Sequence, residues 1–191
     1  MKYKIVEIEE LTGNEATIYS IILNDEDKTL FEKFVEENII SFKDEIKSIL
    51  VRLETIGKET GAREIYFKFK EGKPGDGVVA LYDEPDSNLR LYCIRYGTQI
   101  IILGGGGYKP KEISAFQEDD KLKAENYLLR TISKEITDRI KDKRIEFSSF
   151  GQELEGELEF EDEIFLIKSR FTVNKQNSVV SLIIYAKTDN K

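Results

Sequence analysis

Residues Leu89 to Lys109, LRLYCIRYGTQIIILGGGGYK, decide the fold of this chain. Leu89 to Arg95 alternates apolar with polar or aromatic side chains, Tyr96-Gly97 breaks the run, and Thr98 to Leu103 is almost continuously apolar, the pattern of two strands joined by a tight turn. The second strand reads as the centre of a sheet. Alternation assigns Leu89, Leu91, Cys93 and Arg95 to one face and Arg90, Tyr92, Ile94 and Tyr96 to the other, so each face carries an arginine. Gly104 to Gly107 then offers a backbone that another group can approach closely, either as a strand-to-loop connection or as a cradle for an anion, with Tyr108 and Lys109 next to it. The run lacks the Gly-Lys-Ser/Thr ending of a nucleotide-binding loop.

Outward from this hairpin the period changes along the chain. Lys2 to Ile8 and Ala16 to Leu23 read as a strand pair around the Thr12-Gly13-Asn14 turn. Asp25 is positioned to cap a helix reaching about Asn38 with Leu30, Phe31, Phe34 and Val35 inside. Ser41 with Asp44 predicts the start of a second helix, striped by Phe42, Ile46, Ile49, Leu50, Leu53 and Ile56, interrupted at Gly57 and ended by Gly61. Glu64 to Lys70 and Val78 to Tyr82 read as strands, separated by a Gly and Pro loop at 72–77 and followed by an acidic turn at 83–86. A later helix is expected from about Glu118 to Asp142, with Leu128, Leu129, Ile132, Ile136 and Ile140 inward and mixed charge facing solvent.

These elements predict an α+β fold: an antiparallel sheet meander packed by two N-terminal helices and a later helix, with a C-terminal β appendage. The division expected is 1–144 for the α+β domain and 145–191 for the β-rich extension packed on it. In that extension Glu153, Glu155, Glu157 and Glu159 alternate with apolar or small residues, and 164–173 with 178–186 read as a hairpin. The glutamates are either a solvated edge strand or an acidic surface that covers a basic groove, on this chain or on a partner.

Composition narrows the chemistry. The chain of 191 residues has no histidine, which removes the commonest general acid/base, and its one cysteine leaves almost no zinc constellation. Catalysis would fall to carboxylates, Lys, Arg or Tyr. Cys93 reads as a buried thiol inside a strand. No apolar run approaches the ~20 residues of a membrane span, and Met1-Lys2-Tyr3-Lys4 resembles no secretory signal, so a cytoplasmic protein is expected. The net charge of −8 argues against general nucleic-acid binding. It is carried by the ends: residues 1–60 hold 8 basic and 14 acidic side chains, residues 145–191 hold 5 and 9, and the middle is slightly basic.

The order of strand, two helices, antiparallel meander and final helix, with Arg90-Leu91-Tyr92-Cys93-Ile94-Arg95-Tyr96, Gly97, Ile100-Ile101-Ile102-Leu103 and Gly104 to Lys109 at its centre, resembles the RelE/ParE toxin superfamily and its HigB-like and phage Gp49-like branches. The resemblance covers roughly residues 16–142. It implies the toxin component of a type II toxin-antitoxin system, an endoribonuclease in which the 2′-hydroxyl of messenger RNA attacks the adjacent phosphate, needing no metal or cofactor. Arg90 or Arg95 would then hold the phosphate, Lys109 would stabilise charge or transfer a proton, and Tyr96 or Tyr108 would stack on a base. Lys68 and Lys70 would extend the cationic wall. The implied partners are a cognate antitoxin and messenger RNA on the ribosome. The alternative is a non-catalytic protein-interaction module of the same fold, phage-derived or accessory, in which Arg90 and Arg95 serve as cross-strand ion-pair residues, Lys68 and Lys70 as a solvated strand face, and the acidic ends bind protein.

Overall fold

A computed structural model of the chain describes residues 1–69, 75–81, 87–109 and 119–161. Met1–Phe160 form one compact unit, whose architecture follows; Glu161–Lys191 form a second. The expected hairpin at 164–186, the acidic turn at 83–86 and Lys70 lie outside the described residues.

Strands β1 (Tyr3–Glu7) and β2 (Thr17–Leu23) pair antiparallel, as the Thr12-Gly13-Asn14 turn predicts. Helix α1 (Leu30–Asn38) starts later than the aspartate signal suggests, because Asn24 and Asp25 adopt left-handed φ values of 48° and 58° and turn the chain away from β2. Thr29 is the true cap, in a capping box with Glu32: the Thr29 hydroxyl accepts from the Glu32 N–H at 3.1 Å and the Glu32 carboxylate accepts from the Thr29 N–H at 2.7 Å. Helix α2 (Lys43–Thr55) has Phe42 at its cap position with no side-chain cap bond, so the Ser41 and Asp44 signal located the helix but not its mechanism.

At its end α2 widens into a π-helical turn, Ile56–Thr60, and Gly61 at φ 70° releases the chain. Gly57 sits there because a Cβ would lie 1.9 Å from the Leu11 carbonyl oxygen. The carbonyl of Gly57 accepts from Glu15 and Ala16, which locks the β1–β2 turn to α2.

The strand expected from Glu64 is mostly a 3-10 turn, and only β3 (Phe67–Lys68) pairs. Strands β4 (Val78–Leu81), β5 (Leu89–Tyr96) and β6 (Ile100–Tyr108) complete the antiparallel meander. Pairing of β6 with β2 is parallel and joins the meander to the first hairpin. The sheet order is therefore β3-β4-β5-β6-β2-β1-β9, with β9 (Glu159–Phe160) on the outer side of β1. Among the described residues the sheet is mixed, mostly antiparallel, with helices on both faces.

The two faces make two cores. Ile18, Ile101, Leu103, Leu91 and Cys93 pack with Phe31, Phe34, Ile46 and Leu53 of α1 and α2. Ile100, Ile102, Tyr92 and Ile94 pack with Leu122, Leu129, Ile132 and Ile136 of α3 (Asp120–Lys141), which is capped by Asp119. Strand β6 is buried on both sides, which is why its sequence is continuously apolar.

Gly104 to Gly107 belong to β6 and are neither a loop nor a phosphate cradle. Leu91 pairs with Gly106 and Cys93 with Leu103, so Tyr92 opposes both Gly104 and Gly105 in a bulge. None of the four has a positive φ. Space is what demands glycine: an added Cβ would come within 2.9 Å of Leu129 at Gly104, 2.1 Å of the Glu125 carboxylate at Gly105 and 1.9 Å of the Arg90 carbonyl at Gly106.

The glutamate run does not form one strand. Gly156, at φ 110°, ends β8 (Leu154–Gly156), which pairs with β7 (Ile145–Phe147) in a separate two-stranded sheet. Phe160 stacks on Tyr3 at 4.2 Å, and the Arg139 guanidinium lies 3.5 Å over the same ring while donating to the Glu157 and Glu159 carbonyls. Ile145–Phe160 thus belong to the first compact unit.

Gly106→Ala should lower stability by roughly 1–3 kcal/mol, the usual cost of overpacking, read as a lower urea midpoint at unchanged slope. Survival of the midpoint would mean that β5 and β6 are not this close.

Candidate functional site

The β5–β6 hairpin holds the candidate residues, and alternation along β5 determines where they point. Arg95 shares the face of Leu91 and Cys93, towards α1 and α2, whereas Arg90 shares the face of Tyr92 and Ile94, towards α3. Five residues also separate them, about 16 Å at about 3.3 Å per residue. No single phosphate can be held by both.

The two arginines differ in their surroundings. The Arg95 Nε donates to the Ala62 carbonyl at 2.7 Å, and its guanidinium lies 5.8 Å from the Phe67 ring centre and 5.7 Å from that of Phe69. It ties β5 to the chain leaving α2. Arg90 is 4% exposed, opposite Gly107.

Tyr108 and Lys109 lie at the Arg90 end of the hairpin, where Leu89 pairs with Tyr108 and the Lys109 N–H donates to the Asn88 carbonyl at 2.6 Å. The half-exposed Tyr108 ring stacks on Phe42 at 5.6 Å. Tyr96 lies at the other end, paired with Ile100 and edge-on to Phe147. Burial pushes the Tyr96 phenol upward, partly offset by the neighbouring Thr137 and Ser133 side chains, so it is a poor proton-transfer group at neutral pH. Lys68 is in the two-residue edge strand β3. Cys93 is fully buried and burial pushes its thiol well up, in keeping with a packing role. The structure therefore brings Arg90, Tyr108 and Lys109 to one end and Arg95 and Tyr96 to the other.

Two features escape a reading of the sequence. Glu45, in the first turn of α2, accepts from the Asn88 N–H at 2.8 Å, the Leu89 N–H at 3.0 Å, the Asn88 side-chain amide at 2.6 Å and the Ser87 hydroxyl at 3.3 Å. One carboxylate thus satisfies the entry to β5. The second is an open groove of about 750 Å³ along the outer side of α3, lined by Gly75, Asp76, Tyr127, Arg130, Thr131, Lys134, Thr137, Asp138 and Lys141. Arg130 is paired there with Asp76 at 3.2 Å and lies over Tyr127, while the Ser133 hydroxyl donates to the Asp76 carbonyl, so this wall mainly holds the Gly75–Gly77 turn on α3. None of the singled-out cations among the described residues lines it.

Among the described residues no group of three or more His, Cys, Asp and Glu side chains could hold a metal ion. No described helix is long and apolar enough to cross a membrane. Comparison with known proteins gives no match: no family model, no curated protein and no solved structure.

Glu125 is the carboxylate most affected by its surroundings. It lies over Gly105, and its Oε2 has no hydrogen-bond partner among the described residues. Burial raises its pKa; Lys121 and Lys33 lower it and Glu37 raises it further. The folded chain therefore binds this proton more tightly than the unfolded chain, and the stability it contributes falls as pH rises through the ordinary carboxyl value towards the raised one. Glu125→Gln should raise the melting temperature by about 2 °C at neutral pH, and the gain should vanish once acid has protonated the wild-type carboxyl in both states. Glu45→Ala should cost about 2–3 kcal/mol by stranding the donors at the start of β5, measured by chemical denaturation.

Proposed function

We propose that this chain is a non-catalytic protein-interaction module of α+β architecture, its binding partner another protein. The observation that carries this reading is the division of Arg90 and Arg95 between opposite faces of the sheet. Attack of a 2′-hydroxyl on a phosphodiester requires cations gathered around one phosphate as negative charge develops. Here Arg95 is engaged by a backbone carbonyl and two aromatic rings and Arg90 is buried against α3's side of the sheet. The −8 net charge and its concentration at the two ends suit a protein surface better than a polyanion.

A RelE/ParE-like endoribonuclease neutralised by an antitoxin stands as the second reading on one observation, the meeting of Arg90, Tyr108 and Lys109 at the same end of the hairpin. Induced expression separates the two. The module should leave growth and messenger RNA intact, and affinity capture from its native host should return a stoichiometric protein partner. Growth arrest with cleaved messenger, relieved by Lys109→Ala while the variant stays folded, would establish the toxin instead.

A further inference from the structure

Resting on the interaction-module reading, we infer that the outer face of the β7–β8 hairpin is the contact surface, and that its occupant is a basic segment of a protein partner with apolar side chains between its cations. The register places Glu146 directly opposite Glu155. Side chains in that relation have Cβ atoms about 5 Å apart, and like charges there repel. Glu153 lies two residues before Glu155, on the same side of the strand. Among the described residues none of Glu146, Glu153 and Glu155 has an ion-pair partner, although all three are exposed. Glu157, next in the same alternation, is met by Arg144 at 3.5 Å and Arg139 at 4.0 Å. Cations are thus supplied at the base of the hairpin and withheld from its outer face.

The hairpin also presents one aromatic ring: Phe150, in the turn, is 84% exposed, whereas Phe147 alternates with Glu146 and faces Tyr96 on the inner side. The turn is well tied: the Gly151 N–H donates to the Ser148 carbonyl, the Ser148 and Glu153 backbone N–H groups donate to the Glu153 carbonyl and the Ser148 hydroxyl, Gln99 donates to the Phe150 carbonyl and Gln152 to that of Asn14. Phe150 is therefore held outward by its backbone.

Carboxylates alone would serve to keep an edge strand from adding to another sheet. An aromatic ring exposed in the turn of the same hairpin works against that role, and the two features together complement a segment carrying both guanidinium or ammonium groups and apolar side chains. A cation between Glu146 and Glu155 would turn a repulsion into two attractions at once.

The test uses the full chain and fluorescence anisotropy with a labelled peptide alternating arginine and leucine, against a charge-matched peptide alternating arginine and serine. The wild type should bind the first at least about tenfold more tightly. Glu146→Gln with Glu155→Gln, and separately Phe150→Ser, should each weaken that binding about tenfold or more, while Glu9→Gln with Glu10→Gln, the same change in net charge elsewhere, should leave it within about twofold. The Glu146 and Glu155 pair of substitutions should keep or raise the melting temperature, since it removes a repulsion; a purely structural role would lower it. Failure of the wild type to bind, equal binding of the two peptides, or equal weakening by the Glu9 and Glu10 substitutions would overturn the inference. If the native partner is captured undiminished by the hairpin variants, this surface is wrong and the module reading stands; if no partner is captured at all, the module reading itself fails.

Discussion

Close approach of α3 to the backbone of β6 is the constraint on which the remainder of the structure depends. From Gly104 to Gly107 the strand has no side chains, and Leu129, Glu125 and Lys121, each four residues from the next on α3, lie where side chains from Gly104, Gly105 and Gly107 would stand. A helix lowered this far onto a sheet covers Tyr92 and Ile94 from above and needs only short apolar contacts to seal that face. It also requires the bulge opposite Tyr92, because two consecutive glycines must turn towards the same helix. The half-buried Glu125 carboxylate is part of the cost of this geometry.

Much of the architecture is legible in the sequence because it rests on local rules. The alternation of Leu89 to Tyr96, the apolar run from Ile100 and the helical spacing of Leu129, Ile132 and Ile136 specify elements and faces without reference to distant residues. Alternation even assigns Arg90 and Arg95 to different sides, and it is the proposed chemistry, borrowed from a resemblance, that asks them to converge. The four glycines mislead for a physical reason: composition cannot distinguish a chain that needs freedom from one that needs clearance, and only the position of α3 makes the distinction. The cap at Thr29 is hidden behind Asp25, a better cap by residue type, which the turn at Asn24 and Asp25 places outside the helix.

What the sequence hides most completely is long-range polar satisfaction. Glu45 serves donors 42 to 44 residues away, and no spacing rule links α2 to the entry of β5. The parallel join between β2 and β6 is hidden in the same way, although the Ser20 hydroxyl, bonded to the Leu103 carbonyl and accepting from the Phe31 N–H, shows how one small polar residue coordinates the sheet with the start of α1. The glutamates of 153–159 show how an unbroken pattern in sequence divides once backbone geometry intervenes. Gly156 alone separates an outward-facing pair of carboxylates from one that is neutralised.

The single cysteine carries a practical consequence. Cys93 lies in β5, next to the central strand, with no exposed surface and its sulfur 3.8 Å from the Val79 carbonyl. An alkylating reagent can reach it only when the sheet opens, so the labelling rate of the natural chain is a built-in clock for that opening, with no engineered reporter and no second thiol to confuse the signal.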